Sequence, residues 1–294
     1  MTFEPWKRPD PFGPAMMARQ RGSVPKMSAQ LEAAFNLCSA KYRHLLIVWW
    51  RMGQDSVGMQ AWNRVPMIIP AAGGPVSRAL TQEENAAYRI YAMFLEQYDL
   101  DYEDFLIHSK ILLDRIAFLM RHLLADAQLP SRSFTAQREY LLDPTNNPYK
   151  LGEKYASYVR RRTRWFEPLL KAYRDQFVVH SIKYSPYASL SNPGQFPRPI
   201  KRPIGESSVN DAIRKLTDLQ ARYEKAIPGL SGVPTNNYEL LDFFETHSED
   251  LTEADLKVLT EIRPLSGAKM PDPNQIASHI LEFVEFLDEN FLKL

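Results

Sequence analysis

From Ser28 onward, apolar residues recur at three- and four-residue steps. Leu31, Phe35, Cys38, Tyr42, Leu45, Leu46 and Trp49 fall on one stripe, which predicts a helix from Ser28 to about residue 51. Residues 54 to 80 carry "AAGGP" and two further prolines and predict a long loop. Thr81-Gln82-Glu83-Glu84 has the form of a capping box and opens a second helix that runs to about Tyr98. A third helix is predicted over 101 to 124. Its apolar residues cover most of its circumference, so it belongs at the centre of the fold. Pro130 and "LDPTNNP" interrupt the chain. Helical periodicity resumes from 150 to 184, with Pro168 marking a kink or a junction between two helices.

Proline sets the boundaries. Residues 1 to 27 hold Pro5, Pro9, Pro11, Pro14 and Pro25 and read as an irregular arm. Residues 185 to 206 hold Pro186, Pro193, Pro197, Pro199 and Pro203 and read as a linker. Helices are predicted beyond it near 207–227, 237–247, 252–263 and 273–292, with start signals at Asp250 to Leu256 and Pro271 to Asn274. No stretch alternates like a strand, and no repeat has a fixed period. The expected fold class is all-α. It divides into the arm (1–27), a helical core (28–184), the linker (185–206) and a C-terminal helical section (207–294).

Composition changes this picture little. The apolar fraction of 45% is enough to bury a sizeable core, and a net charge of +1 gives no global attraction to nucleic acid or membrane. A single cysteine, Cys38, excludes a disulfide framework and a cysteine-rich zinc site, and its setting reads as buried and inert. The N-terminus lacks a signal-peptide core, and the longest apolar run, "LLIVWW", is too short for a membrane span, so a cytoplasmic location is expected. Phosphate loops, the dinucleotide glycine fingerprint, the serine elbow and the His-Glu-x-x-His motif are missing. The six histidines lack metal-ligand spacing, so neither a metal nor a cofactor is expected.

Three groups of residues could carry chemistry. "KAYRDQFVVHSIKY", 171 to 184, places Arg174, Asp175 and His180 around an apolar run. Arg174 and His180 are six residues apart, roughly 9 Å of rise and about 120° of turn on an ideal helix, so they can flank one groove. Asp175 could hold either by a hydrogen bond. The same residues would also serve as a surface ion pair and a histidine on a helix C-terminal dipole. "YVRRRTRWF", 158 to 166, interleaves Arg160, Arg161, Arg162 and Arg164 with Tyr158, Trp165 and Phe166, a pattern suited to phosphate contact and base stacking or to a solvated basic helix face. His108 and Asp114, again six residues apart on the third helix, could support Arg174 and His180 from behind or be satisfied interface groups, and Tyr173 and Tyr184 stand beside the same groove.

Arginine followed by a small polar residue, an apolar stretch and a histidine near the end of a long helix resembles the motif of the HEPN superfamily. Here it reads Arg174, Asp175, "QFVV", His180. "DFLIHSKILLDRIAFL" is similar to the first core helix of HEPN bundles, and the resemblance spans roughly residues 82 to 184. It implies an up-down helical bundle that forms a homodimer, with two Arg/His pairs meeting in a cleft between subunits. In many family members such a cleft cuts RNA without metal. The resemblance would make His180 the general acid and base, Arg174 the phosphate and transition-state group, and Asp175 the orienting residue. The basic run would hold RNA. Other members only bind, or pair with a partner as toxin with antitoxin. A metal-independent endoribonuclease and a non-catalytic nucleic-acid- or protein-binding scaffold therefore both stand as expectations.

Overall fold

The computed structural model describes residues 8–22, 27–62, 81–143, 153–171, 173–175, 185–189, 198–200, 214–215, 217–221, 252–255, 258 and 271–293. Its elements are α1 (Phe12–Arg21), α2 (Ala29–Trp62), α3 (Gln82–Leu123), α4 (Phe134–Leu142), α5 (Glu153–Arg162), a π-helical turn (Phe166–Lys171), strands β1 (Ser185–Ser189) and β2 (Arg198–Ile200), α6 (Pro273–Leu287) and a closing π-helical turn (Asp288–Leu292). Helices dominate the described residues, as an all-α fold requires. The one departure is the antiparallel β1–β2 ribbon, inside the stretch expected to be linker. Ser185 pairs with Ile200 and Ser189 with Arg198 across a bulge.

The central helix starts where its capping box predicts. The Thr81 hydroxyl accepts from the Glu84 amide at 3.1 Å, and the Glu84 carboxylate accepts from the Thr81 amide at 2.8 Å. Two helices were expected over 82 to 124. The chain forms one, because no glycine or proline falls between Gln82 and Leu123 to interrupt the backbone ladder. The helix ends in a Schellman turn: the Asp126 amide reaches the Arg121 carbonyl at 3.2 Å and the Ala125 amide reaches His122 at 3.3 Å. Ala125 takes the left-handed position (φ 50°) that glycine usually fills. Phe105, Leu106, Leu112, Leu113, Ile116, Ala117, Leu119 and Met120 are all fully buried, which gives α3 the predicted central place.

α2 and α3 pair antiparallel with a seven-residue step. His44 meets His108, Arg51 meets Asp101, and Gly58 meets Phe94. A constant seven-residue advance on both helices is the period of a coiled-coil seam. α2 continues to Trp62, into the stretch where a loop was expected. Gly58 is a requirement of that packing: a Cβ there would sit 2.6 Å from the Phe94 ring.

The proline-rich N-terminus also departs from expectation. Residues 12–21 form α1, with Phe12 fully buried. Pro11 and Pro14 fall at the N-cap and in the first turn, where a helix has no use for the missing amide donor. Asp10 anchors the start by accepting from the Phe12 amide at 3.0 Å and the Ser39 hydroxyl at 2.5 Å.

α6 begins as its sequence signals predict. Asp272 accepts from the Asn274 amide at 2.8 Å, and Pro273 occupies the first turn. Ile276, Ile280, Phe283, Val284 and Leu287 enter the same core as Phe35, Phe105, Phe134 and Tyr155. Three hydrogen bonds pin this C-terminal stretch: Trp49 Nε1 to Asn274 Oδ1 at 2.9 Å, Tyr102 hydroxyl to the Pro271 carbonyl at 2.7 Å, and Arg19 to the Phe291 carbonyl at 2.7 Å.

Candidate functional site

The basic run lies on α5 and the turn that follows it. Tyr155, Ala156 and Val159 face inward, and Arg160, Arg161 and Arg162 close the last turn, where the helix dipole favours positive charge. Arg160 Nε donates to the Leu141 carbonyl, so it seals the C-terminal end of α4. Arg164 Nε lies 3.9 Å from Glu253 Oε1, which also takes Arg138 at 3.4 Å. Arg161 and Arg162 are exposed.

Two of the three aromatic residues of this run, Trp165 and Phe166, are buried away from the exposed arginines. Trp165 is 3% exposed and lies parallel to the His279 ring, centroids 5.0 Å apart and planes 9° apart. Tyr158 stacks on Phe286 at 3.9 Å and on Phe283 at 5.3 Å. Phe166 is fully buried, edge-on to Phe134 at 5.0 Å. The core thus takes up Trp165 and Phe166, while half-buried Tyr158 stays within electrostatic reach of Arg162, one turn further along α5. Trp165 therefore has no open face for a base.

The helix stops before Thr163, whose hydroxyl donates to the Val159 carbonyl at 2.5 Å. The π-helical turn across Phe166–Lys171 then delivers Tyr173, Arg174 and Asp175. Tyr173 is 1% exposed, so its ring packs inward and does not line an open groove. Arg174 Nη1 and Asp175 Oδ1 are 3.1 Å apart and both side chains are about a third exposed, at 29% and 35%. His180 and Tyr184 lie outside the described residues.

His108 and Asp114 go to different neighbours. Asp114 Oδ1 accepts from Lys110 Nζ at 2.5 Å and from the Phe134 amide at 2.7 Å, which locks α3 to the first turn of α4. Lys110 also lies over the Phe166 ring, 5.6 Å from its centroid. The His108 ring meets His44 edge to face at 5.5 Å, and its Nδ1 is buried with no hydrogen-bond partner among the described residues. Burial, then Lys41 and His44, hold His108 below the usual histidine range, with Asp104 opposing.

About two turns along the same seam lie further charges. Asp101, 1% exposed, is held by the Arg51 guanidinium, with Nε on Oδ2 at 2.9 Å and Nη2 on Oδ1. Arg51 stood at the expected end of α2, where nothing local marks its partner fifty residues away. Asp55 is 3% exposed, its Oδ2 has no hydrogen-bond partner among the described residues, and burial pushes its carboxyl up to about 6 against the pull of Arg51. That folded value lies above the unfolded one, so the folded state binds the proton more tightly. Stability from this group rises as pH falls from 7 toward 4. Asp55→Asn is expected to remove that slope and to raise stability at pH 8 by about 1–2 kcal/mol, read from urea melts at pH 5 and pH 8. An unchanged slope would place the titration on another group.

A cavity of about 210 Å³ lies between the residues leading into α1 and the end of α6, lined by Arg8, Pro9, Pro11, Tyr42, Leu281, Val284, Glu285 and Asp288. Tyr42 there is pushed up to about 12 by burial, with Arg8 opposing and Asp10 adding. No predicted site residue belongs to its lining. Among the described residues, no group of three or more histidine, cysteine, aspartate or glutamate side chains could hold a metal ion, and no helix is long and apolar enough to cross a membrane. No protein-family model, curated protein or solved structure matches the chain.

Proposed function

We propose that the chain is a HEPN-like helical bundle that acts as a metal-independent endoribonuclease, with Arg174 and His180 meeting their counterparts across a homodimer cleft. The observation that carries this reading is the Arg174–Asp175 pair. Its guanidinium is held at 3.1 Å by a neighbouring carboxylate while a third of each side chain stays open to solvent. It also follows a turn anchored in the core by Phe166, Leu169 and Leu170. A guanidinium oriented by one carboxylate and still open presents its remaining donors to a phosphate. His180 supplies the proton transfers at a ribose 2′-hydroxyl and the leaving oxygen. Arg161 and Arg162 give the phosphate backbone an exposed basic contact.

A second reading, a non-catalytic scaffold that binds nucleic acid or a protein such as an antitoxin-like partner, draws support from the inward packing of Trp165 and Tyr158 and from the engagement of Arg160 with Leu141. Labelled single-stranded RNA incubated with the protein in EDTA separates the two. Under the nuclease reading the wild type cuts and leaves 2′,3′-cyclic phosphate ends, and His180→Ala slows cleavage by roughly a hundredfold or more with helicity and dimer unchanged. Equal inactivity of both proteins, with RNA or protein binding retained, selects the scaffold.

A further inference from the structure

The outer face of α3 is apolar and acidic at once. Met93, Glu96, Leu100, Glu103 and Ile107 follow one another at three- and four-residue steps, so they form a single stripe roughly 21 Å long. Met93 is 55% exposed and Leu100 is 66% exposed, the largest exposure of any big apolar side chain among the described residues. α2 packs on the opposite side, through Phe94, Asp101 and His108. The stripe is therefore the surface that α2 leaves uncovered. Asp99 lies beside it, its carboxyl pushed up to about 6 by burial and by Glu103 and Glu96. Like charges crowded beside exposed apolar side chains are relieved by an incoming cation, while the apolar side chains gain by leaving water.

We propose that this face of α3, built on Met93, Leu100 and Ile107 and flanked by Glu96 and Asp99, docks a helix of a partner protein that carries apolar residues at three- and four-residue spacing between lysines or arginines. A second copy does not fit the same face. Antiparallel pairing about Leu100 sets Met93 on Ile107 but brings Glu96 against Asp104, acid on acid, in both halves of the contact. A cationic helix meets both requirements, with its apolar seam on Met93 and Leu100 and its basic flanks on the acids. Docking here does not depend on any nuclease activity.

The test uses the full chain and fluorescence anisotropy. The probe is a labelled synthetic helix of leucine and lysine with leucines at three- and four-residue spacing. Its leucine–glutamate counterpart is the control. The wild type is expected to bind the leucine–lysine helix, and Met93→Lys/Leu100→Lys to weaken that binding roughly tenfold or more, with the leucine–glutamate helix binding neither. Both positions are exposed, so circular dichroism should show an unchanged fold; if it does not, Leu100→Gln alone makes the same comparison. Equal affinity of wild type and variant overturns the proposal, as does binding of the acidic helix or no binding at all. Sedimentation showing a wild-type dimer that the variant loses also overturns it and makes a second copy the occupant.

Discussion

Phe283→Ala is expected to lower the unfolding free energy by about 4 kcal/mol. Phe283 is fully buried on α6 and meets aromatic rings from two other helices: Phe134 of α4 at 5.7 Å, Tyr155 of α5 at 6.2 Å and Tyr158 of α5 at 5.3 Å. Truncation removes the transfer energy of the ring and leaves a void that its neighbours cannot collapse to fill, because each is held by another ring: Phe134 by Phe166, Tyr155 by Phe291 and Tyr158 by Phe286. Each lost aromatic pair adds about 0.5–1.5 kcal/mol, though these terms overlap with the burial term. Phe283→Leu keeps most of the volume and should cost about half as much. Urea titration of the three proteins gives the comparison. A loss below about 1 kcal/mol for the alanine variant would mean that α6 is not integral to the core.

The same ladder of rings explains where sequence reasoning succeeded and where it stopped. Start signals carried by a few adjacent residues were legible. Thr81 with Glu84, and Asp272 with Pro273, cap the helices they were expected to open. The apolar circumference of 101 to 124 announced a central helix, and α3 buries most of its apolar residues there. Proline was a poorer guide at the N-terminus, because its meaning depends on position within a helix: Pro11 caps α1 and Pro14 falls in its tolerant first turn. Trp165 shows the harder limit. Beside four arginines it looks like a stacking platform. Its partner is His279, more than a hundred residues further on, and no local pattern reports that contact. The Arg174–Asp175 pair was visible as neighbours. The burial of Tyr173 next to it was not, since no local pattern reports what packs around a ring.

Gln137→Leu is expected to cost about 3 kcal/mol despite adding apolar surface to a fully buried site. The Gln137 side chain is 0% exposed, and its amide nitrogen donates to the Ala117 carbonyl at 2.9 Å and the Pro130 carbonyl at 2.7 Å. Its oxygen accepts from the Tyr155 hydroxyl at 2.5 Å. Two carbonyl acceptors on one side fix which end of the amide is nitrogen, because the flipped form would set oxygen against oxygen. Burial pushes the Tyr155 phenol up, so it stays a donor. One side chain thus joins α3, the loop before α4, α4 itself and α5. Leucine leaves the fully buried Tyr155 hydroxyl without its acceptor and the half-buried Pro130 carbonyl without this donor, and a buried group so orphaned costs about 1–3 kcal/mol. Tyr155→Phe alone removes one partner and should cost about 1–2 kcal/mol. In the double variant the orphaned hydroxyl is gone, so the two losses should fall short of their sum by about 1 kcal/mol. Strict additivity in that cycle would mean that the Tyr155–Gln137 bond contributes nothing, and that the polar centre of the bundle is held by Ala117 and Pro130 alone.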